Sequence, residues 1–153
     1  MQVKEQLFAL CATFVNTQLQ TINAIITSNR KALLSETKSS AGDKHETGRA
    51  MLQLEMEKAG LQLANVQKMK LVLERFSAAG NHNKNAKNVH LGSIIYTDLH
   101  TYFLLISAGK LVVDNQEFYA ISAASPLGKL LLGKQQNEVI NINGKQIKIK
   151  GIY

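Results

Sequence analysis

"SAGDKHETG", residues 40–48, separates two long stretches that both read as helix. Before residue 77 the chain has no proline and only three glycines, and two of these, Gly42 and Gly48, lie within this stretch. Upstream, Val3, Leu7, Leu10, Cys11, Phe14, Ile22, Ile25, Ala32 and Leu33 recur at steps of about three and four, which predicts a helix over residues 4–37. Downstream, Met51, Leu54, Leu61, Met69, Val72 and Phe76 do the same for a helix over 46–76. Two amphipathic helices joined by so short a turn are expected to fold back on each other, because each needs the other's apolar stripe. At about 1.5 Å of rise per residue, each helix is roughly 50 Å long. The expectation over 1–76 is therefore an antiparallel coiled-coil hairpin, a rod with its tip at 41–47. Asn29 in the first stripe and Lys58 and Asn65 in the second interrupt the seam with polar groups, which in coiled coils fix register at a cost in stability.

Beyond the helices the pattern changes. Residues 77–88, "SAAGNHNKNAKN", are polar and aperiodic and read as a linker. From residue 89 to 153 the period drops to two: "HLGSIIYT", "TYFLLIS", "KLVV" and "EFYAIS" read as strands, with turns at Asp98, Gly109 and Asp114–Asn115. In "SPLGKLLLGK", Ser125 suits an N-cap, Pro126 the first helical position and Gly133 a stop, so a short helix is expected. "EVININGKQIKIKGIY" reads as a hairpin turning at Asn143–Gly144. The fold class is thus α+β, a helical hairpin followed by a small antiparallel sheet domain with one short helix.

Composition narrows the function. Eighteen Lys and Arg against eleven Asp and Glu give a formal charge of +7, which favours polyanions or acidic protein surfaces. Both halves are mildly basic, there is no basic tail, and no aromatic residues interleave with Lys or Arg as a base-stacking platform requires. No apolar run reaches the roughly 18 residues of a spanning helix, so no membrane partner is expected. The opening "LFALCATFV" has the size of a signal-peptide core. Yet Glu5 beside Lys4, bulky Leu10 before Cys11 and the absence of a small-x-small site make it the start of a core helix instead. A lone cysteine forms no internal disulfide and fits a reducing cytoplasm.

Familiar catalytic patterns are missing. His45, His82, His90 and His100 are dispersed, there is no Cys-x-x-Cys, and neither a Gly-x-Ser-x-Gly elbow nor a phosphate loop occurs. Cys11, on the apolar face, reads as packing. What remains is the pair Asp43 and Glu46, for which two readings stand. One is a capping box, Asp43 accepting from the backbone at 46 and Glu46 reaching back. The other is a pair of hard oxygen ligands carried at the end of a long lever, the donor type that Mg²⁺ requires.

These residues carry a resemblance. A long helical hairpin with Gly42, Asp43 and Glu46 at its tip resembles the Gre family of bacterial transcript-cleavage factors. "ISAASPLGKLLLGK", residues 121–134, resembles that family's Ile-Ser-x-x-Ser-Pro-x-x-x-x-Leu-x-Gly-Lys stretch, and "VHLGS", residues 89–93, the start of its second domain. The resemblance covers both halves in the same order. It implies that residues 89–153 form a peptidyl-prolyl-isomerase-like sheet that docks on RNA polymerase, with Ser125, Pro126 and Leu127 within the docking surface. It implies that the hairpin enters the secondary channel, where Asp43 and Glu46 help hold Mg²⁺ in the polymerase active site and stimulate cleavage of backtracked RNA. The chain would be no enzyme alone and would hold no cofactor of its own. Its partners would be RNA polymerase and the nascent RNA 3′ end, with no small-molecule substrate. Arg30, Lys31 and Lys38, with Lys44 and Arg49, would steer the tip toward RNA phosphates or serve as ordinary solvated helix positions. The tip differs from the family pattern at Ala41, His45, Thr47, Arg49 and Ala50. Two other classes remain in view: a channel-binding regulator without cleavage activity, for which the acids are only a cap, and a coiled-coil adaptor with no affinity for polymerase.

Overall fold

The computed structural model describes residues 2–38, 42–78 and 87–153 of the 153-residue chain, and side chains over 3–35, 47–78 and 87–153. Two long helices, α1 (Gln2–Lys38) and α2 (Gly42–Ala78), precede β1 (Ile94–Thr97), β2 (Thr101–Leu105), β3 (Gly109–Val113) and β4 (Gln116–Ser122). A short α3 (Pro126–Leu131), β5 (Val139–Ile142) and β6 (Lys145–Ile152) complete the chain. The fold is α+β. Of the expected linker, Ser77 and Ala78 end α2, residues 79–86 lie outside the described ones, and Asn88 forms a bridge with Gln135. No described helix is long and apolar enough to cross a membrane.

The chain divides into two compact units, Val15–Lys68 and the combination of Met1–Phe14 with Met69–Tyr153. In the first, Val15, Ile22 and Asn29 of α1 are buried at steps of one heptad, as are Ala59 and Val66 of α2. Ala24, Ile25, Ser28 and Asn29 of α1 share a groove with Glu55, Lys58, Ala59 and Gln62 of α2. In the second unit Leu7, Cys11 and Leu73 are buried, and the rings of Phe8 and Phe76 lie 5.8 Å apart.

The inward face of α1 is largely as expected, but Leu10 and Ile25 are over a third exposed. On α2 the expected row holds at Met69, Val72 and Phe76 but not before them: Met51, Leu54 and Leu61 are 62, 66 and 71% exposed, and Lys58 and Asn65 are exposed too. The inward residues are Leu52, Met56, Ala59, Leu63, Val66, Met69, Val72, Leu73 and Phe76. Apolar residues occur on two faces of α2, so periodicity alone does not choose between them. Asn29 does lie in the seam, 8% exposed, with its Nδ2 lacking a hydrogen-bond partner.

All four expected strand segments between residues 90 and 122 form, but the six-stranded sheet, ordered β3-β4-β2-β1-β6-β5, is mixed rather than antiparallel. After β2 the chain crosses to the far edge for β3, then returns through Asp114–Asn115 (φ 51° and 63°) so that β4 fits between β3 and β2. β4 therefore runs parallel to β2, with Tyr102 opposite Tyr119, and every other pairing is antiparallel. Asn143 and Gly144 (φ 50° and 78°) make the expected two-residue turn between β5 and β6, with the positive φ at both positions that matches strand twist.

One face of the sheet packs Ile95, Tyr102, Leu104, Ile140, Ile147 and Ile149 against Leu131 of α3 and Val89. By strand alternation the opposite face carries Ile94, Phe103, Leu105, Phe118 and Ala120, also buried. Gly92 has φ +90°, and a Cβ there would strike the Phe76 ring. Glycine is needed at this position for both reasons.

Candidate functional site

Helix α2 begins at Gly42, so positions 43 and 46 lie inside its first turns, three residues apart along one side of the helix. This departs from the capping-box reading, which places Asp43 ahead of the helix. The side chains of Asp43 and Glu46 lie outside the described ones, as do those of Lys38, Lys44 and His45, and Ala41 lies outside the described residues altogether. Arg30 and Lys31 are exposed on α1. All of these belong to the unit Val15–Lys68, whereas Ser125, Pro126 and Leu127 belong to the other.

Around Ser125 most of the sequence motif is explained by the chain's own folding. Ser125 caps α3: its Oγ accepts from Gly128 N at 3.0 Å and donates to Ser122 O at 2.6 Å. Pro126, at the first helical positions, gives up no hydrogen bond there. A Cβ on Gly128 would run into Ser122 O and come within 2.9 Å of Ser125 Oγ, so the cap closes only over glycine. Leu131 enters the core, Gly133 turns with φ +83°, and Val89 exchanges backbone bonds with Gly133 and Lys134 at 2.8 Å. Leu127 packs half-buried against the core. Of the three residues assigned to docking, only Pro126 is exposed.

The remaining titratable groups are structural in character. Burial pushes the Cys11 thiol up to about 12, so it stays protonated and is a poor nucleophile near neutral pH. His90 Nδ1 lies 3.0 Å from Asn88 O and 2.9 Å from Ser93 Oγ. A carbonyl only accepts, so the contact with Asn88 places the proton on Nδ1. Ser93 Oγ accepts from His90 N at 2.9 Å and is fully buried, which fits a turn and not a nucleophile. Among the described residues no group of three or more His, Cys, Asp or Glu side chains is placed to hold a metal ion. A pair of carboxylates at positions 43 and 46 fits Mg²⁺ by donor type, supplying at most part of its oxygen shell.

Two aromatic clusters escape a linear reading because strand pairing builds them. His100 lies 4.6 Å from Tyr119, which faces Tyr102 across the β2–β4 pair. Burial, then Tyr119 and Asp98, raise the Tyr102 hydroxyl above its ordinary value. The second cluster joins Tyr96 of β1 to Tyr153, beside Lys150. The sequence shows no interleaving of aromatic and basic residues; here the fold supplies one. No protein-family model matches the chain, and no curated protein matches it.

Proposed function

We propose that the chain is a transcription elongation factor of the Gre type, which binds RNA polymerase and stimulates cleavage of backtracked RNA. The observation that carries this reading is the pairing, in order, of two motifs. Gly42-Asp43-x-x-Glu46 opens a 37-residue helix, and "ISAASPLGKLLLGK" lies in a sheet domain beyond it. On this reading α1 and α2 fold back as an antiparallel hairpin. Two local contacts favour that: Phe8, near the start of α1, meets Phe76, near the end of α2, and residues 24–29 share a groove with 55–62. The sheet domain is taken as peptidyl-prolyl-isomerase-like and as the part that docks, through Pro126 and its surroundings.

The division of labour follows from the chemistry. Asp43 and Glu46 offer carboxylate oxygens to a Mg²⁺ that the polymerase active site also holds, and the metal's role is to polarise the scissile phosphate and activate water. Two carboxylates alone are too few to hold Mg²⁺ tightly, so the chain without polymerase does not cut RNA. Arg30, Lys31 and Lys38 add positive charge toward the extruded RNA, an attraction that salt weakens. The cellular site implied is the cytoplasm. A second reading, occupation of the channel without cleavage, is favoured by one observation: Ala41, Thr47, Arg49 and Ala50 stand where the family carries acidic or polar groups.

Binding to core RNA polymerase, measured with the labelled full chain, is the first test. Saturable binding that Pro126→Glu weakens at least about tenfold, roughly 1.4 kcal/mol, agrees with the proposal. Absence of binding overturns both readings.

A further inference from the structure

Strands β1 and β6 pair so that Tyr96 stands opposite Gly151, and Tyr153 extends the ladder by exchanging backbone bonds with Ile94 at 2.8 and 2.9 Å. The rings of Tyr96 and Tyr153 consequently meet edge to face, 5.3 Å between centroids at 89°. Gly151 leaves room for them: a Cβ there would sit 3.3 Å from Tyr153 Cε2. The register slips next to Tyr96, between Gly151 and Ile149, so Lys150 is the extra residue of a bulge. With Tyr96, Gly151 and Tyr153 it lines a shallow cleft of about 210 Å³.

Three properties of this cleft point to a ligand class. Tyr153 is 68% exposed although it is held by the ladder, so a rigid aromatic face is offered to solvent. Lys150 and Lys148 are exposed, and among the described residues neither makes an ion pair. Two carboxylates lie near in the hydrogen-bonding pattern and both bond backbone N–H groups and not these ammonium groups: Asp98 Oδ1 accepts from Lys148 N at 3.0 Å and Glu138 Oε2 from Gln135 N at 2.5 Å. An apolar ligand would leave the lysines unanswered, and a simple anion would leave the ring face bare. A flat base with flanking phosphates uses both.

We propose that the Tyr96–Lys150–Tyr153 cleft binds single-stranded nucleic acid, one base stacking on Tyr153 while Lys148 and Lys150 meet the adjoining phosphates. This site stands apart from the polymerase reading and does not depend on it. Its test uses the full chain alone with fluorescein-labelled U12 and dT12 and a duplex of the same length, read by anisotropy over a salt series. Because the chain has four tyrosines and no tryptophan, quenching of its intrinsic fluorescence reports stacking directly. The single strands are expected to bind more tightly than the duplex. Tyr153→Ala should weaken them about 5-fold or more while Tyr153→Phe stays within about twofold of the parent. Lys148→Gln with Lys150→Gln should flatten the slope of log K against log salt by about 1.4. Arg30→Gln with Lys31→Gln should leave the Tyr153 dependence in place. No binding, equal binding of duplex, a Tyr153→Ala chain that binds like the parent, or equal loss in Tyr153→Phe would each overturn the proposal.

Discussion

At the scale of single residues, glycine and serine around α3 do more than their size suggests. Ser125 Oγ both donates and accepts within three residues, so Ser125→Ala is expected to lower stability by about 1 kcal/mol in urea denaturation. Gly128→Ala forces a methyl group into Ser122 O and should cost more, about 1–3 kcal/mol. A Gly128→Ala chain as stable as the parent would mean that the cap does not close as described. Cys11 supplies a pH signature. Its thiol holds its proton to about 12 in the folded chain, against 9.0 ordinarily. Between those values the unfolded chain has lost the proton and the folded chain keeps it, so the stability from Cys11 is complete below about pH 9 and declines as pH rises. The stability difference between the parent and Cys11→Val should therefore shift against the parent from pH 8 to pH 10.5, in paired chemical denaturations. These residues were readable in the sequence when their role is local. Ser125 acts through a hydroxyl that reaches only three residues either way, Pro126, Gly133 and the Asn143–Gly144 turn act through their own backbone, and each performs the expected task.

At the scale of elements, the least comfortable feature is Asn29. Its Nδ2 is buried without a partner, in a row that otherwise holds Val15 and Ile22. Turning the amide over would bury Oδ1 in the same place instead. Replacing the amide with an apolar side chain of similar volume is expected to stabilise the chain. Asn29→Leu should gain about 1–3 kcal/mol by denaturation, unless it costs the pairing of α1 with α2 a unique register. A loss of stability would show that the amide is satisfied in solution. Asn29 was legible as a polar interruption, and so was the inward row at Met69, Val72 and Phe76, but the phase of the first part of α2 was not. Met51, Leu54 and Leu61 make as good an apolar row as Leu52, Met56, Leu63 and Val66, and the choice between them is made by what packs, not by period. The parallel β2–β4 pair was missed for a related reason. Two-residue turns reveal which strands follow each other in a hairpin, and nothing local reveals that β4 inserts beside β2.

At the scale of the whole molecule, the α+β plan and the order of its elements follow from a change of period near residue 77, from about 3.6 to 2. Function is written at longer range. The Tyr96–Tyr153 cleft exists only because β1 and β6 pair. The proposed role of Asp43 and Glu46 depends on a second molecule. If the basic residues of the proposed hairpin guide RNA, then neutralising Arg30, Lys31 and Lys38 together should slow capture of extruded RNA more at low salt than at high salt; equal slowing at both would exclude steering. The most direct test of the central claim is transcript cleavage in stalled, backtracked complexes of the cognate polymerase with Mg²⁺, comparing the parent chain with Asp43→Asn plus Glu46→Gln. The account predicts that the parent shortens RNA from its 3′ end and that the double variant binds polymerase equally well but leaves the transcript intact. Cleavage by both chains, or by neither while both bind, would contradict it.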